Sequence, residues 1–97
     1  MTQIEDLTEK ILAFRDERNW RQFHTPKDLA VSVSIEAAEL LECFQWDRVT
    51  PVVEIHQEIA DVLIYLLELA SLVGMDVQKG IEEKLKINAE KYPKEKV

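Results

Sequence analysis

Two segments of the sequence combine helical apolar spacing with a pair of acidic residues three positions apart. Glu36 and Glu39 lie in SIEAAELLECFQW, and Glu58 and Asp61 lie in QEIADVLIYLL. Residues three apart on a helix are surface neighbours, with Cβ atoms roughly 5–6 Å apart. Each helix can therefore present two carboxylates to one point.

The two acidic pairs reach the same height if the helices form an antiparallel hairpin with its turn centred near Arg48. Glu39 lies nine residues before this centre and Glu58 ten residues after it. Glu36 lies twelve residues before it and Asp61 thirteen residues after it. The spacing therefore predicts that the four carboxylates converge.

Four converging carboxylates repel one another and are costly to keep ionised away from water unless a cation balances them. Ligands that are all oxygen favour a hard ion, meaning Mg²⁺ or Mn²⁺; Ca²⁺ fits the ligand set but is not usually catalytic. The alternative is a pair of solvated helix faces, which is the usual situation of Glu. Because both pairs interrupt otherwise apolar runs, we favour the metal site.

The apolar spacing and the helix-end signals predict an all-α chain of four helices. We expect the helices to span residues 3–18, 26–45, 51–73 and 77–91. Trp46 should close the second helix. The residues that predict helix ends are the N-caps Thr2, Thr25, Thr50 and Asp76 and the C-terminal Gly74.

The third predicted helix is apolar on nearly all sides over residues 59–73, where only Asp61, Tyr65, Glu68 and Ser71 interrupt it. It is too short and too interrupted for a bilayer, which requires about 20 predominantly apolar residues. A helix that is apolar all round must be buried all round. A chain of 97 residues has limited surface to bury it with. We therefore expect a single domain, 1–97, that self-associates into a dimer or tetramer.

The overall charge argues against polyanionic partners. A net charge of −7 and a pI near 4.8 disfavour non-specific binding to nucleic acid or to an anionic membrane, since both need a cationic surface. The single Cys43 cannot form an internal disulfide, and no hydrophobic signal segment opens the sequence. The expected compartment is the cytoplasm, with Cys43 as a small core residue.

The order E-x-x-E, eighteen intervening residues, then E-x-x-D resembles the MazG-like, all-α nucleoside triphosphate pyrophosphohydrolases. The flanking segments ERNWRQFHTP, ELLECFQW, EIADVLIYLL and KLKINAEKYP are similar to the dCTP pyrophosphatase branch of that family. One position departs from the pattern. Many members carry a further Glu immediately before the first metal-binding Glu, and here that position is Ile35. The four-carboxylate set is intact.

The resemblance implies Mg²⁺-dependent hydrolysis of a nucleoside triphosphate, with dCTP or a modified dCTP expected, to the monophosphate and pyrophosphate. Glu36, Glu39, Glu58 and Asp61 would hold the metal, which would neutralise phosphate charge and activate a water. Glu36 and Glu39 are the expected catalytic residues, with Glu36 as the general base.

Six further residues are candidate substrate contacts, because aromatic faces stack on any base and polar groups can read its edge. Each has a plainer interpretation: core or anchoring aromatics, a histidine that satisfies a backbone group, a solvated lysine, or an asparagine in a cap. The resemblance favours the substrate role. The six are Trp20, His24, Trp46, Tyr65, Lys84 and Asn88.

Two other classes of function stay open at this point. A di-iron carboxylate bundle also places Glu residues inside helices, but it needs Glu-x-x-His motifs, and neither His24 nor His56 provides one. A non-catalytic interaction module would use the acids as a solvated face and the apolar third helix as a binding surface. Metal-dependent protection against thermal unfolding would separate that module from an enzyme.

Overall fold

The computed structural model describes residues 2–94 and consists of helices, with no strand in that range. The four α-helices confirm the predicted all-α class. They are α1 (Gln3–Glu17), α2 (Pro26–Glu42), α3 (Val52–Leu72) and α4 (Val77–Lys91), and a short 3₁₀ helix, Arg21–Phe23, lies between α1 and α2.

The predicted helix ends are confirmed at four places. The Thr2 and Thr25 hydroxyls each accept a hydrogen bond from the backbone N–H three residues on, as in a capping box. The Asp76 carboxylate does the same at the start of α4. Gly74 follows α3 with φ +73°, a left-handed conformation in which glycine has no Cβ to clash.

The second helix ends earlier than the sequence predicts. It stops at Glu42, three residues before the expected end at 45, so Trp46 lies in the connecting turn and does not close the helix. Trp46 and Asp47 have φ values of +60° and +56°. A right-handed helix cannot continue through residues in the left-handed region, which the apolar spacing alone does not reveal.

Thr50 has a different role from the predicted one. The N-cap of α3 is Pro51, which makes no side-chain capping bond. The Thr50 hydroxyl instead donates to the backbone carbonyl of Cys43, at the end of α2. This bond ties the two ends of the turn together and sets the hairpin of α2 and α3.

Most packing in the described chain joins α2 to α3 and α1 to α3, whereas α4 packs only lightly on the other helices. The buried apolar residues within residues 2–94 are Leu29, Cys43 and Ala70. The prediction of Cys43 as a core residue is thus confirmed. Two charged side chains, Arg15 and Glu68, are buried as well.

The apolar surface of α3 is only partly covered within one chain. Ile59, Leu63 and Leu66 remain 41%, 52% and 42% exposed. The expectation that this helix is buried on all sides is therefore not met by a single chain, because α1 and α2 cover only part of its circumference. No helix within residues 2–94 has the length and the apolar character needed to cross a membrane.

Candidate active site

The hairpin of α2 and α3 brings acidic residues from both helices together. Glu36, Glu58 and Asp61 each offer a carboxylate oxygen, and these oxygens lie within 4.8 Å of one another. Asp61 acts more strongly than Glu58 on the charge of Glu36. Glu39 is the acid that acts most strongly on Glu58. Three of the four predicted carboxylates therefore converge, and Glu39 is not among the three whose oxygens lie within 4.8 Å of one another.

Within the acidic cluster, defined as Glu36, Glu39, Glu58 and Asp61, the neighbouring acids disfavour the ionisation of Glu36 and Glu58. Burial, followed by the neighbouring carboxyls of Glu39, Asp61 and Glu58, raises the pKa of Glu36 to about 7. Burial, followed by Glu39 and Asp61, also raises the pKa of Glu58. Without a cation, part of the cluster is therefore protonated near neutral pH.

Two oxygens in the cluster lack hydrogen-bond partners. Glu36 Oε2 and Glu58 Oε2 are buried, and no donor among the described residues reaches them. Buried polar atoms are almost always hydrogen-bonded, so an orphaned pair facing a third carboxylate is unusual. A cation would satisfy these oxygens and remove the repulsion at once. Together, the donor set and the orphaned oxygens suit a divalent metal ion.

A row of aromatic rings leads from α1 to the acidic cluster. Ring centroids are 5.8 Å apart for Phe14 and Trp20, 6.1 Å for Trp20 and His24, and 6.5 Å for His24 and Tyr65. Burial, followed by the charges of Glu36 and further acids, raises the pKa of the Tyr65 phenol. Trp20, His24 and Tyr65, three of the six predicted substrate contacts, thus lie side by side next to the carboxylates.

Glu68 is a member of this site that the sequence analysis did not assign. Oε1 of its carboxylate is hydrogen-bonded to Nδ1 of His24 at 3.0 Å. Oε2 lies 2.8 Å from the same nitrogen but makes no hydrogen bond with the described residues. The Glu68 side chain is only 4% exposed. An available signal was the position of Glu68 in an apolar run, three residues after Tyr65 and seven after Asp61, on the same side of the helix.

Comparison with known proteins identifies the family. Residues 31–97 match the MazG-like family. The chain belongs to the MazG-like family. The predicted resemblance, and with it the predicted MazG-like fold, is confirmed.

The similarity of this MazG-like chain to individual proteins extends beyond the matched segment. It is 35% identical over 100 residues to dCTP pyrophosphatase 1 of Mus musculus and 33% identical over 104 residues to that of Homo sapiens. These alignments cover 93% of this chain and 59% of each relative. The chain thus spans about three fifths of the length of the curated relatives it matches.

A solved structure is similar over almost the whole of both chains. It is a pyrophosphatase from Archaeoglobus fulgidus DSM 4304, with a TM-score of 0.88 and 44% sequence identity. The alignment covers 97% of this chain and 95% of the other. The four-helix arrangement described above is therefore that of a solved pyrophosphatase.

The other three predicted substrate contacts make no recorded side-chain contact with the acidic cluster of the MazG-like chain within residues 2–94. Trp46 is 92% exposed in the turn between α2 and α3. Lys84 and Asn88 lie on α4, and no hydrogen bond, ion pair or ring contact among residues 2–94 joins their side chains to the site. Their substrate roles stay predictions.

Proposed function

We propose that the protein hydrolyses a nucleoside triphosphate to the monophosphate and pyrophosphate, with dCTP or a modified dCTP as substrate. The observation that carries the proposal is the convergence of the Glu36, Glu58 and Asp61 carboxylates, with buried oxygens that lack partners. The MazG-like family and the names of the relatives give the reaction class. Without the family and these names, the acidic cluster would be compatible with many reactions.

Mg²⁺ is the expected metal, with Mn²⁺ as a substitute. The donors are all carboxylate oxygens, which suit hard ions, and Glu36, Glu39, Glu58 and Asp61 would hold the ion. When bound, Mg²⁺ supplies charge neutralisation for the phosphate oxygens and acidifies bound water. The metal also addresses a repulsion problem, because a chain with net charge −7 would otherwise repel a triphosphate.

Glu36 is the proposed general base. Burial and its acidic neighbours raise its pKa to about 7 in the metal-free cluster, which is the range in which a base both accepts and releases a proton near neutral pH. Because a bound cation opposes this shift, the role requires that one Glu36 oxygen stay off the metal and take the proton of the attacking water. Glu39, one turn along α2, would support Glu36.

The aromatic row beside the cluster is the proposed base site. Trp20, His24 and Tyr65 offer ring faces, and stacking on such faces is worth roughly 1–3 kcal/mol per base whatever the base is. Discrimination must therefore come from polar groups that pair with the edge of the base, since a wrong base leaves buried donors and acceptors unpaired. The preference for a cytosine base rests mainly on the names of the relatives.

The test is a panel of nucleoside triphosphates incubated with the protein and Mg²⁺, with pyrophosphate and orthophosphate measured separately. We expect pyrophosphate release, fastest with dCTP or 5-substituted dCTP, and none when the metal is chelated. Orthophosphate as the first product would exclude this reaction. Equal turnover of the four common deoxynucleoside triphosphates would remove the base preference but keep the reaction. No turnover and no metal-dependent stabilisation would favour the non-catalytic interaction module.

Self-association is the second part of the proposal, with another copy of this chain as the partner. The exposed side of α3 adjoins an apolar groove of about 650 Å³ lined by α1, α3 and α4. Its lining includes Leu7, Phe14, Leu63 and Ile81, and almost no polar surface. An apolar surface of this extent on a small chain is typical of an interface. A second copy presenting the same α3 surface is a self-complementary partner.

Leu66→Glu tests this assembly, because Leu66 lies on the exposed part of α3. Val49→Glu is the matched control, because the substitution adds the same charge to the same chain. Val49 is 95% exposed and lies in the turn. We expect sedimentation at micromolar concentration to give an oligomer for the unmodified protein and for Val49→Glu. Leu66→Glu should dissociate or unfold. A stable monomer of the unmodified protein would exclude the assembly.

A further inference from the structure

Glu68 is an acidic residue that neither the metal cluster nor the base site explains. It lies on α3 and is 3% exposed, and a buried ionised carboxylate is costly unless a cation or donor compensates it. Among the described residues, the side chain that reaches it is His24, whose Nδ1 lies 3.0 Å from Oε1 and 2.8 Å from Oε2. An ionised carboxylate only accepts hydrogen bonds. If Glu68 is ionised, Nδ1 therefore carries the hydrogen.

The other edge of the His24 ring has a different environment. The two ring nitrogens point in widely different directions, so anchoring Nδ1 on Glu68 directs Nε2 away from that carboxylate. Trp20 and Tyr65 lie at ring-centroid distances of 6.1 and 6.5 Å and limit rotation of the imidazole. The His24 side chain is 17% exposed, and no hydrogen-bond partner for Nε2 is found within residues 2–94. Nε2 is the atom left for a ligand.

We propose that Glu68 is a positioning residue for His24: it accepts the Nδ1–H hydrogen bond, fixes the ring between Trp20 and Tyr65, and leaves Nε2 to contact the bound nucleotide. The nucleotide contact rests on the proposed function. The Nδ1–H assignment does not, because it rests on an ionised Glu68 carboxylate within 3.0 Å of Nδ1 and not on a ligand. Such outer partners determine which nitrogen of a histidine faces a ligand.

The first test uses the unmodified protein and needs no substrate. The chain has two histidines, and His56 is exposed on α3, so it serves as an internal reference in long-range ¹H–¹⁵N correlation spectra. His24→Ala assigns the signals. We expect His24 Nδ1 to remain protonated across the titration, so that the neutral ring is the Nδ1–H tautomer. A neutral His24 protonated at Nε2 would mean that Glu68 donates or does not bond, and would overturn the proposal.

The second test is a double-mutant cycle on nucleotide hydrolysis. Glu68→Gln keeps the shape but removes the charge that selects Nδ1–H, and it should raise KM about tenfold, the cost of one buried hydrogen bond, with a smaller change in kcat. In a His24→Ala background, the same substitution should leave KM unchanged. An equal rise in KM in both backgrounds would show that Glu68 acts independently of His24, and would overturn the proposal.

The two tests separate this proposal from the proposed function. If the protein hydrolyses no nucleotide, the proposed function and the contact from Nε2 to the nucleotide both fail, and the spectra alone decide whether Glu68 positions His24. If Glu68→Gln does not fold, as judged by circular dichroism, the spectrum of the unmodified protein still gives the tautomer. An unchanged KM in folded Glu68→Gln, with turnover intact, would count against the positioning role.

Discussion

Helix α3 carries carboxylates in two contrasting environments. Glu68 faces an imidazole from another part of the chain, at 2.8 Å. Glu58 and Asp61, two to three turns earlier on α3, face Glu36, which is another carboxylate. Glu68 thus has a histidine partner inside the chain, whereas the charged neighbours that raise the pKa of Glu36 and Glu58 are other acids.

The two environments have different consequences for the stability of the protein when no ligand is bound. Removing the partner of a buried carboxylate destabilises the chain, because the charge left behind is uncompensated. A cluster of like charges opposes folding and favours any cation that binds it. Removing a charged group should therefore have opposite effects on the metal-free stability of the two regions.

The largest expected effect is on turnover when the acidic cluster loses one charge. Asp61→Asn or Glu39→Gln should lower the rate of hydrolysis at least about 100-fold, since losing even an outer partner of a metal ligand costs about 10–100-fold. Metal-free stability should hold or rise, because a repulsive charge is gone. Glu9→Gln, an exposed change on α1, is the control and should alter neither quantity. Full turnover in either cluster variant would remove these residues from the chemistry.

Metal binding is the next largest effect. At a Mg²⁺ concentration of 100 times Kd, the folded state gains about 2.7 kcal/mol, a rise in Tm on the order of 10 °C for a chain of this size. Differential scanning fluorimetry with and without Mg²⁺ measures the shift. Asp61→Asn should lose most of it, whereas Glu9→Gln should retain it. An equal shift in all three proteins would indicate a metal site elsewhere.

Removing the partner of Glu68 should lower the metal-free stability, in contrast to removing a charge from the acidic cluster. His24→Ala leaves the buried Glu68 carboxylate without its donor, and the free energy of unfolding should fall by about 1–3 kcal/mol, the cost of a buried unsatisfied group. His56→Ala, at an exposed position of α3, is the matched control. Urea denaturation of the metal-free proteins at one fixed protein concentration compares them. If His24→Ala and a cluster variant changed the free energy of unfolding in the same direction, the proposed contrast between the two regions would be wrong.

The smallest effect is the pH dependence of the metal-free protein. The pKa of Glu36 rises from 4.5 in the unfolded chain to about 7 in the fold, so between these values the folded state binds more protons than the unfolded state. Stability should therefore fall as pH rises from about 4.5 to about 7. Glu58 shifts in the same direction. Urea midpoints across this range measure the slope.

Glu36→Gln is the check on this assignment, because it removes the titrating group and should flatten the slope. Saturating Mg²⁺ should flatten or reverse it in the unmodified protein, since a bound cation favours the ionised carboxylates. A slope that persists unchanged in Glu36→Gln would assign the pH dependence to groups outside the cluster.

The sequence by itself determined the features that depend on residues close together in the chain. The capping residues Thr2, Thr25 and Asp76 act on N–H groups three positions away, and Gly74 ends α3 through its own backbone. The convergence of Glu36 with Asp61 was also predictable, because two helices of fixed rise joined by one short turn have a calculable register. Local spacing and helix geometry suffice for these.

Tertiary structure alone decided the features that depend on distant partners or on packing. Glu68 meets His24 across 44 positions of sequence, and no periodicity indicates that an acid in an apolar run has such a partner. Trp46 and Asp47 adopt left-handed conformations in the turn after α2, although neither is glycine. Burial, long-range pairing and turn conformation arise from how the helices pack, and they determine which of the candidate residues lie together beside the acidic cluster.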